Sequence, residues 1–127
     1  MRRGLRWAPA LVYMAAIFVA SAQHTVRLPD VDNSDKMLHF AAYAGLGVLL
    51  AYGGAPAAVG RLPLIAIGSL YGASDEVHQS FVPGRTPDPA DWVADTLGAI
   101  AGVLAAHTYF SRRRARAAVP GADPLRR

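Results

Sequence analysis

Four short stretches of this chain carry acidic, basic or histidine side chains within or beside apolar sequence. Their candidate functional residues, in chain order, are Asp35, Lys36, His39, Glu76, Gln79, Arg85, Asp91 and Asp95. Histidine beside a carboxylate can transfer a proton near neutral pH, and Lys and Arg side chains bind phosphate groups. The set therefore predicts a site for acid–base chemistry, for anion binding, or for both.

Each residue type suggests a role in an enzyme acting on an anionic substrate. Lys36 and Arg85 would hold a phosphate or diphosphate, the arginine through its bidentate fork. Asp35 precedes His39 by four residues, so on a helix it lies one turn away and can orient the imidazole. His39 would then transfer a proton, and Glu76 would serve as a general acid or base. The sequence contains no standard hydrolase or phosphatase motif.

A divalent metal ion is a further possibility at these residues. Asp91 and Asp95 could bind it together with His39 or Glu76, because carboxylates and water are the ligands that suit Mg²⁺, Mn²⁺ and Ca²⁺. The chain has no cysteine, which excludes thiolate ligands, thiol nucleophiles and disulfides.

The elements that must position these residues are four apolar segments, at residues 7–22, 37–53, 62–79 and 92–110. The chain is 53% hydrophobic and 17% charged, whereas a soluble domain carries about 25% charged residues. A membrane-spanning helix needs about 20 residues; the second and fourth segments qualify, and the first and third need flanking residues to complete a span. The fold class predicted is all-α, a four-helix transmembrane bundle surrounded by the lipid bilayer.

The first segment has an alternative interpretation. A basic start, an apolar run and the small residues Ala20, Ser21 and Ala22 also describe a cleavable signal peptide. We favour retention, because a cleaved chain would keep only three helices to pack together.

Charge distribution predicts the orientation. With the N-terminus in the cytoplasm, ten of the thirteen Lys and Arg residues and one of the nine acidic residues lie inside, as the positive-inside rule requires. This predicts a multi-pass protein of the cell membrane with both termini cytoplasmic and the polar stretches on the outer side. The net charge of +4 does not indicate nucleic-acid binding, because the basic residues adjoin apolar runs.

The domain organisation follows from the same pattern. Residues 1–111 form one transmembrane domain, and residues 112–127 form a basic cytoplasmic tail that we expect to be disordered.

Spacing within the fourth segment predicts how its helix packs. Asp91, Asp95, Gly98 and Gly102 share one helical face. The two glycines form a GxxxG pattern, which permits close helix contact in lipid. Asp88 followed by proline is a typical helix start, with the aspartate as N-cap.

The motifs around these residues resemble the VanZ-like family of small membrane proteins. The matching features are Asp-Lys-x-x-His-Phe at residues 35–40, Glu-x-x-Gln at 76–79, Pro-Gly-Arg at 83–85 and Asp-x-x-x-Asp at 91–95, within residues 35–104. The resemblance carries the family pattern onto all eight candidate residues. It implies a role at the cell envelope, since the family is named for a protein linked to lowered susceptibility to the glycopeptide teicoplanin. It implies no particular reaction.

Three functions stay open on the sequence alone. The residues could form a catalytic pocket for an envelope lipid or a lipid-linked glycan. They could bind such a headgroup, or a glycopeptide, without turnover, or modulate a partner protein. They could also be a salt-bridge network that only stabilises the bundle.

Overall fold

The structure, a computed structural model, describes residues 3–23 and 34–118. Four α-helices account for most of these residues: α1 (Ala8–Ser21), α2 (Ser34–Gly54), α3 (Arg61–Ser80) and α4 (Pro89–Ala117). Two short 3-10 helices, Arg3–Trp7 and Ala55–Ala57, precede α1 and follow α2. The described ranges contain no β-strand, so the predicted all-α class is confirmed.

Three stretches are long and apolar enough to cross a membrane: Gly4–Ser21, Ser34–Ala57 and Pro89–Ala117. The remaining helix, α3, has 20 residues, which is long enough for a span. It falls short in apolarity because Asp75, Glu76 and His78 lie in its last two turns. Contact with lipid therefore does not explain why the last two turns of α3 carry charged and polar residues.

Helices α2 and α4 run parallel and form the closest contact in the bundle. A side chain on Gly102 would overlap the backbone carbonyl of Ala44. A Cβ on Gly47 would lie 2.6 Å from the carbonyl oxygen of Ala99. The predicted GxxxG contact is confirmed, and its partner is the backbone of α2.

The α3–α4 and α1–α2 pairs are antiparallel and also rely on small residues. A Cβ on Gly68 of α3 would lie 2.7 Å from the Ala99 side chain of α4. The Trp7 ring at the start of α1 covers Gly53 at the end of α2. Between the helices lies a core of fully buried side chains, the largest apolar ones being Tyr43, Leu46, Leu64 and Val103.

This topology sorts the charges to opposite ends. The end of α1, the start of α2, the end of α3 and the start of α4 meet at what we call the polar end. The opposite, basic end holds Arg6, Arg61 and the arginines of residues 112–116. There the Arg6 guanidinium lies 4.1 Å from the centre of the Tyr52 ring, a cation–π contact.

The C-terminal segment differs from the expectation of disorder. Helix α4 continues to Ala117, so residues 112–117 are helical. Alanine and arginine are good helix formers, and arginines near a helix C-terminus interact favourably with the helix dipole. Residues 119–127 lie outside the described residues, as do His24, Arg27, Asp30 and Asp32 of the α1–α2 linker.

Candidate functional site

His39 lies at the centre of the polar end, facing three carboxylates. Its Nδ1 is 2.8 Å from Asp95 Oδ1, whereas its Nε2 is 3.8 Å from Asp91 Oδ2 and 4.0 Å from Asp35 Oδ1. The histidine side chain is 11% exposed, and that of Asp95 is fully buried. The hydrogen-bonding partner of His39 is therefore Asp95 on α4, and Asp35 contacts the ring only at the limit of an ion pair.

Glu76 reaches the same place from α3. Its Oε2 accepts a hydrogen bond from the backbone N–H of Asp88 at 3.0 Å, which ties the end of α3 to the start of α4. Its Oε1 is buried and has no hydrogen-bond partner among the described residues. One donor atom each from Glu76, His39 and Asp95 lie within 4.8 Å of one another.

Lys36 is engaged in two ion pairs that join α2 to α4. Its Nζ lies 2.8 Å from Asp88 Oδ2 and 3.2 Å from Asp91 Oδ1. Asp88 also caps α4 by accepting a hydrogen bond from Ala90 N at 2.9 Å, so the predicted N-cap is confirmed. The Lys36 ammonium holds the pKa of the Asp88 carboxyl below its usual range. The sequence did not identify Asp88 as the partner of Lys36, because that contact depends on the path of the α3–α4 loop.

The Lys36–Asp88 pair predicts a pH-dependent contribution to stability. A carboxyl whose pKa is lowered in the folded state stabilises the fold above its ordinary pKa of 3.8, and this contribution is lost as the pH falls through the lowered value. Asp88→Asn preserves a good N-cap but removes the charge. We expect a lower melting temperature than wild type at about pH 7, with the difference shrinking toward about pH 3. A difference that does not change with pH would mean that cap geometry, and not the ion pair, causes the effect.

A cavity of about 190 Å³ opens at the polar end between α1, α2 and α3. Its lining comprises Ile17, Ala20, Ser21, Asp35, Leu38, His39, Ala42, Tyr43, Asp75, Gln79 and Arg85. Two buried polar atoms on its wall, the Tyr43 hydroxyl and Asp75 Oδ1, have no hydrogen-bond partner among the described residues. The other oxygen of Asp75 accepts a hydrogen bond from Gln79 Nε2 at 3.4 Å. The cavity thus combines an apolar side with polar groups that lack partners.

Arg85 enters this cavity from the α3–α4 loop. Gly84 before it has a φ of +81°, a backbone conformation that favours glycine, and Arg85 N donates to Val82 O at 3.1 Å to close the turn. Within residues 3–23 and 34–118, no carboxylate forms an ion pair with its guanidinium. Arg85 is therefore a cation on the cavity wall that forms no ion pair with the part of the chain that the structure describes.

The eight predicted residues thus converge on one end but divide into two groups. Asp35, His39, Gln79 and Arg85 line the cavity, whereas Lys36, Glu76, Asp91 and Asp95 lie outside its lining, around His39 and at the start of α4. The sequence did not select Tyr43 or Asp75, which also line the cavity. Tyr43 follows His39 by four residues and Asp75 adjoins Glu76, so both were detectable as neighbours of selected residues.

Helix α1 completes the cavity through a contact with α3. The Phe18 ring stacks on the His78 ring with centroids 4.0 Å apart, and Ser21 Oγ lies 3.2 Å from His78 Nδ1. His78, which is not among the eight residues selected from the sequence, therefore has a structural role in closing the α1 side.

Comparison with family models gives a match to VanZ/LLP1 over residues 5–110. The chain belongs to the VanZ/LLP1 family. The match extends beyond residues 35–104, where the motifs lie, and includes α1 and most of α4. Family membership and the three apolar helices identify a VanZ-like membrane protein. No curated protein and no solved structure matches the chain.

Proposed function

We propose that this VanZ/LLP1-family protein binds the anionic headgroup of a lipid or a lipid-linked glycan in the cavity at the polar end. The observation that carries the proposal is the pairing of Arg85, without an ion-pair partner among the described residues, with an apolar wall that includes Ile17 and Leu38. An amphiphile presents the same combination of a charged group and an apolar chain. Arginine donates two parallel hydrogen bonds to a phosphate.

The other groups in the cavity restrict the headgroup further. The Tyr43 hydroxyl can donate a hydrogen bond to a phosphate oxygen, but Asp75 Oδ1 accepts and would repel one. Asp75 therefore suits a hydroxyl or an amine of the ligand, so the headgroup carries such a donor beside its acidic group. A volume of about 190 Å³ equals that of about six liquid water molecules at ~30 Å³ each. The cavity holds a headgroup fragment, and the rest of the lipid stays in the bilayer.

The distribution of basic residues supports an orientation in which this ligand lies in the outer leaflet. Arg6, Arg61 and the arginines of residues 112–116 share the basic end, and the positive-inside rule assigns such an end to the cytoplasm. The cavity then opens on the extracytoplasmic side of the cell membrane, and the N-terminal end of α1 and the C-terminal end of α4 are cytoplasmic. This orientation supports an envelope lipid as the ligand.

A second candidate function is proton transfer to or from the bound headgroup. It is favoured by the contact between His39 and Asp95 at 2.8 Å, which fixes the imidazole through Nδ1. Nε2 has no hydrogen-bond partner among the described residues, and His39 lines the cavity. A histidine held at one ring nitrogen can exchange a proton at the other. The protein would then modify the headgroup as well as bind it.

Two alternatives need no catalysis. The cavity could bind a glycopeptide or contribute to a contact with a partner protein, which agrees with the link of the family name to teicoplanin resistance. Alternatively, the ion pairs of Lys36 with Asp88 and Asp91 could be part of a network that only stabilises the bundle. In both alternatives, no lipid binds at Arg85.

Native mass spectrometry of the protein purified in mild detergent tests headgroup binding. We expect a lipid adduct on the wild-type protein and a loss of about tenfold or more in its abundance for Arg85→Gln, since hydrogen bonds to charged groups contribute about 1.5–3 kcal/mol. Arg112→Gln at the basic end is the matched control and should keep the adduct. No adduct, or equal adducts on both variants, would contradict the proposal. If the wild-type protein alters the mass of the bound lipid and His39→Gln does not, this result would support modification of the headgroup.

A further inference from the structure

We infer that His39, Glu76 and Asp95 together bind one divalent first-row transition-metal ion between α2, α3 and α4. This inference goes beyond headgroup binding and does not depend on it, because the three side chains lie beside the cavity and only His39 lines it. It concerns a site that the protein would hold with or without a lipid.

The first argument is the spacing of the donor atoms. One nitrogen and two carboxylate oxygens from the three residues lie within 4.8 Å of one another. His39 Nδ1 and Asp95 Oδ1 are 2.8 Å apart. Neighbouring ligands on an ion with bonds of about 2.1 Å are about 3 Å apart in octahedral geometry and about 3.4 Å apart in tetrahedral geometry. The separation of the two atoms, which now form a hydrogen bond, is close to the octahedral value, and a small movement apart would give the tetrahedral one.

The second argument is that two oxygens at this place are buried without partners. Asp95 is 0% exposed, and its Oδ2 has no hydrogen-bond partner among the described residues; the same is true of Glu76 Oε1. A buried carboxylate without a compensating partner is costly. Gly72 lies beside Asp95 Oδ2, and a Cβ added to it would be 3.1 Å from this oxygen. Because glycine has no side chain, it donates no side-chain hydrogen bond to the oxygen. A cation at the three residues would satisfy both carboxylates.

The third argument is the composition of the donor set. Two ionised carboxylates with one neutral imidazole carry a charge of −2, which a divalent ion neutralises. An imidazole ligand suits Zn²⁺ and other transition ions, whereas Mg²⁺ and Ca²⁺ prefer oxygen ligands alone. Three protein ligands leave a coordination position open. Because His39 also lines the cavity, a ligand in the cavity lies close to that open position.

A second trio, Asp35, His39 and Asp91, also has suitably close donor atoms but suits a metal ion less well. The Asp35 side chain is 59% exposed, so ordering it on an ion costs conformational entropy. Asp91 is paired with Lys36 at 3.2 Å, and the ammonium group repels a second cation. The proposed trio of His39, Glu76 and Asp95 has neither disadvantage.

Equilibrium dialysis against Zn²⁺, followed by elemental analysis of the full-length protein in detergent, tests the site. We expect one ion per chain, and weakening of binding by at least about tenfold in Glu76→Gln, since even indirect partners of a metal contribute about 10–100-fold. Asp75→Asn is the matched control, because it removes the neighbouring carboxylate and should leave Zn²⁺ binding unchanged. Gel filtration checks that both variants remain folded.

A spectroscopic measurement on the wild-type protein removes the dependence on variants. With Mn²⁺ as the probe, electron spin-echo modulation should show coupling to one imidazole nitrogen. The inference is overturned if neither ion binds, if Mn²⁺ shows no nitrogen coupling, or if Asp75→Asn weakens Zn²⁺ binding as much as Glu76→Gln. It is also overturned if Asp35→Asn abolishes metal binding and Glu76→Gln does not, because the ion would then belong to the second trio. Because no lipid is involved, a failure here leaves the headgroup proposal standing, and the reverse also holds.

Discussion

Gly102→Ala should strongly destabilise the helical bundle, although it adds only one methyl group. The added Cβ would overlap the Ala44 carbonyl oxygen on α2. Because backbone atoms cannot rotate away as a side chain can, α2 and α4 must separate. Overpacking of this kind costs about 1–3 kcal/mol, occasionally more. We expect a lower melting temperature in detergent and a heterogeneous gel-filtration profile, with Gly98→Ala behaving alike because its Cβ would meet the Phe40 carbonyl.

The neighbouring residue on α4 supplies the control for this prediction. Ala101 is exposed, so Ala101→Leu adds more atoms than Gly102→Ala without entering the α2–α4 contact. It should leave the melting temperature close to that of wild type. Equal stability of Gly102→Ala and Ala101→Leu would show that α2 and α4 are not in backbone contact, and the polar end would lose its geometric basis.

His39→Ala should be the most damaging substitution at the polar end. It removes the hydrogen-bonding partner of Asp95, whose side chain is fully buried, and leaves a carboxylate between helices without compensation. Removing one member of a buried ion pair costs about 3–5 kcal/mol. We expect a large drop in melting temperature in detergent, measured by tryptophan fluorescence. The drop arises from the carboxylate left behind, so it should depend on Asp95.

A double substitution isolates that cause. Adding Asp95→Asn to His39→Ala removes the charge while keeping the side-chain volume, and should recover a large part of the lost stability. Ser80→Ala, at an exposed position at the end of α3, is a control that should change little. If the double variant is less stable than His39→Ala by the full effect of Asp95→Asn alone, the two residues do not interact and the contact at 2.8 Å is absent from the protein in detergent.

The sequence predicted the parts of the site that depend on local periodicity. Asp91, Asp95, Gly98 and Gly102 were assigned to one helical face, and all four are buried. A face of this kind follows from the 3.6-residue repeat alone. The N-cap at Asp88 was also predictable from local sequence, because it depends only on this residue and those that follow it.

The partners across helices were not predictable from the sequence. Asp35 was expected to orient His39 because it lies one turn away, yet Asp95 on α4 makes the short contact. The ion pairs of Lys36 with Asp88 and Asp91 were not predicted, and its role in binding a phosphate stays a prediction. Such pairings depend on the register of α2 against α4, which is determined by the glycine contacts and not by spacing within one helix.

The predicted end of the C-terminal helix was also wrong. The arginines after Ser111 suggested a disordered tail, whereas α4 continues to Ala117. Charge composition predicts solvation, but it does not predict disorder when the residues involved are good helix formers.

Thiol labelling of intact cells tests most directly whether the polar end of the bundle, with its cavity, faces away from the cytoplasm. The chain has no cysteine, so single cysteines can be introduced at Thr86, beside Arg85, and at Ala115 near the basic end of α4; both positions are exposed. A membrane-impermeant maleimide should label Thr86→Cys in intact cells and Ala115→Cys only after lysis. Labelling of Ala115→Cys in intact cells with protection of Thr86→Cys, or equal labelling of both, would contradict the account.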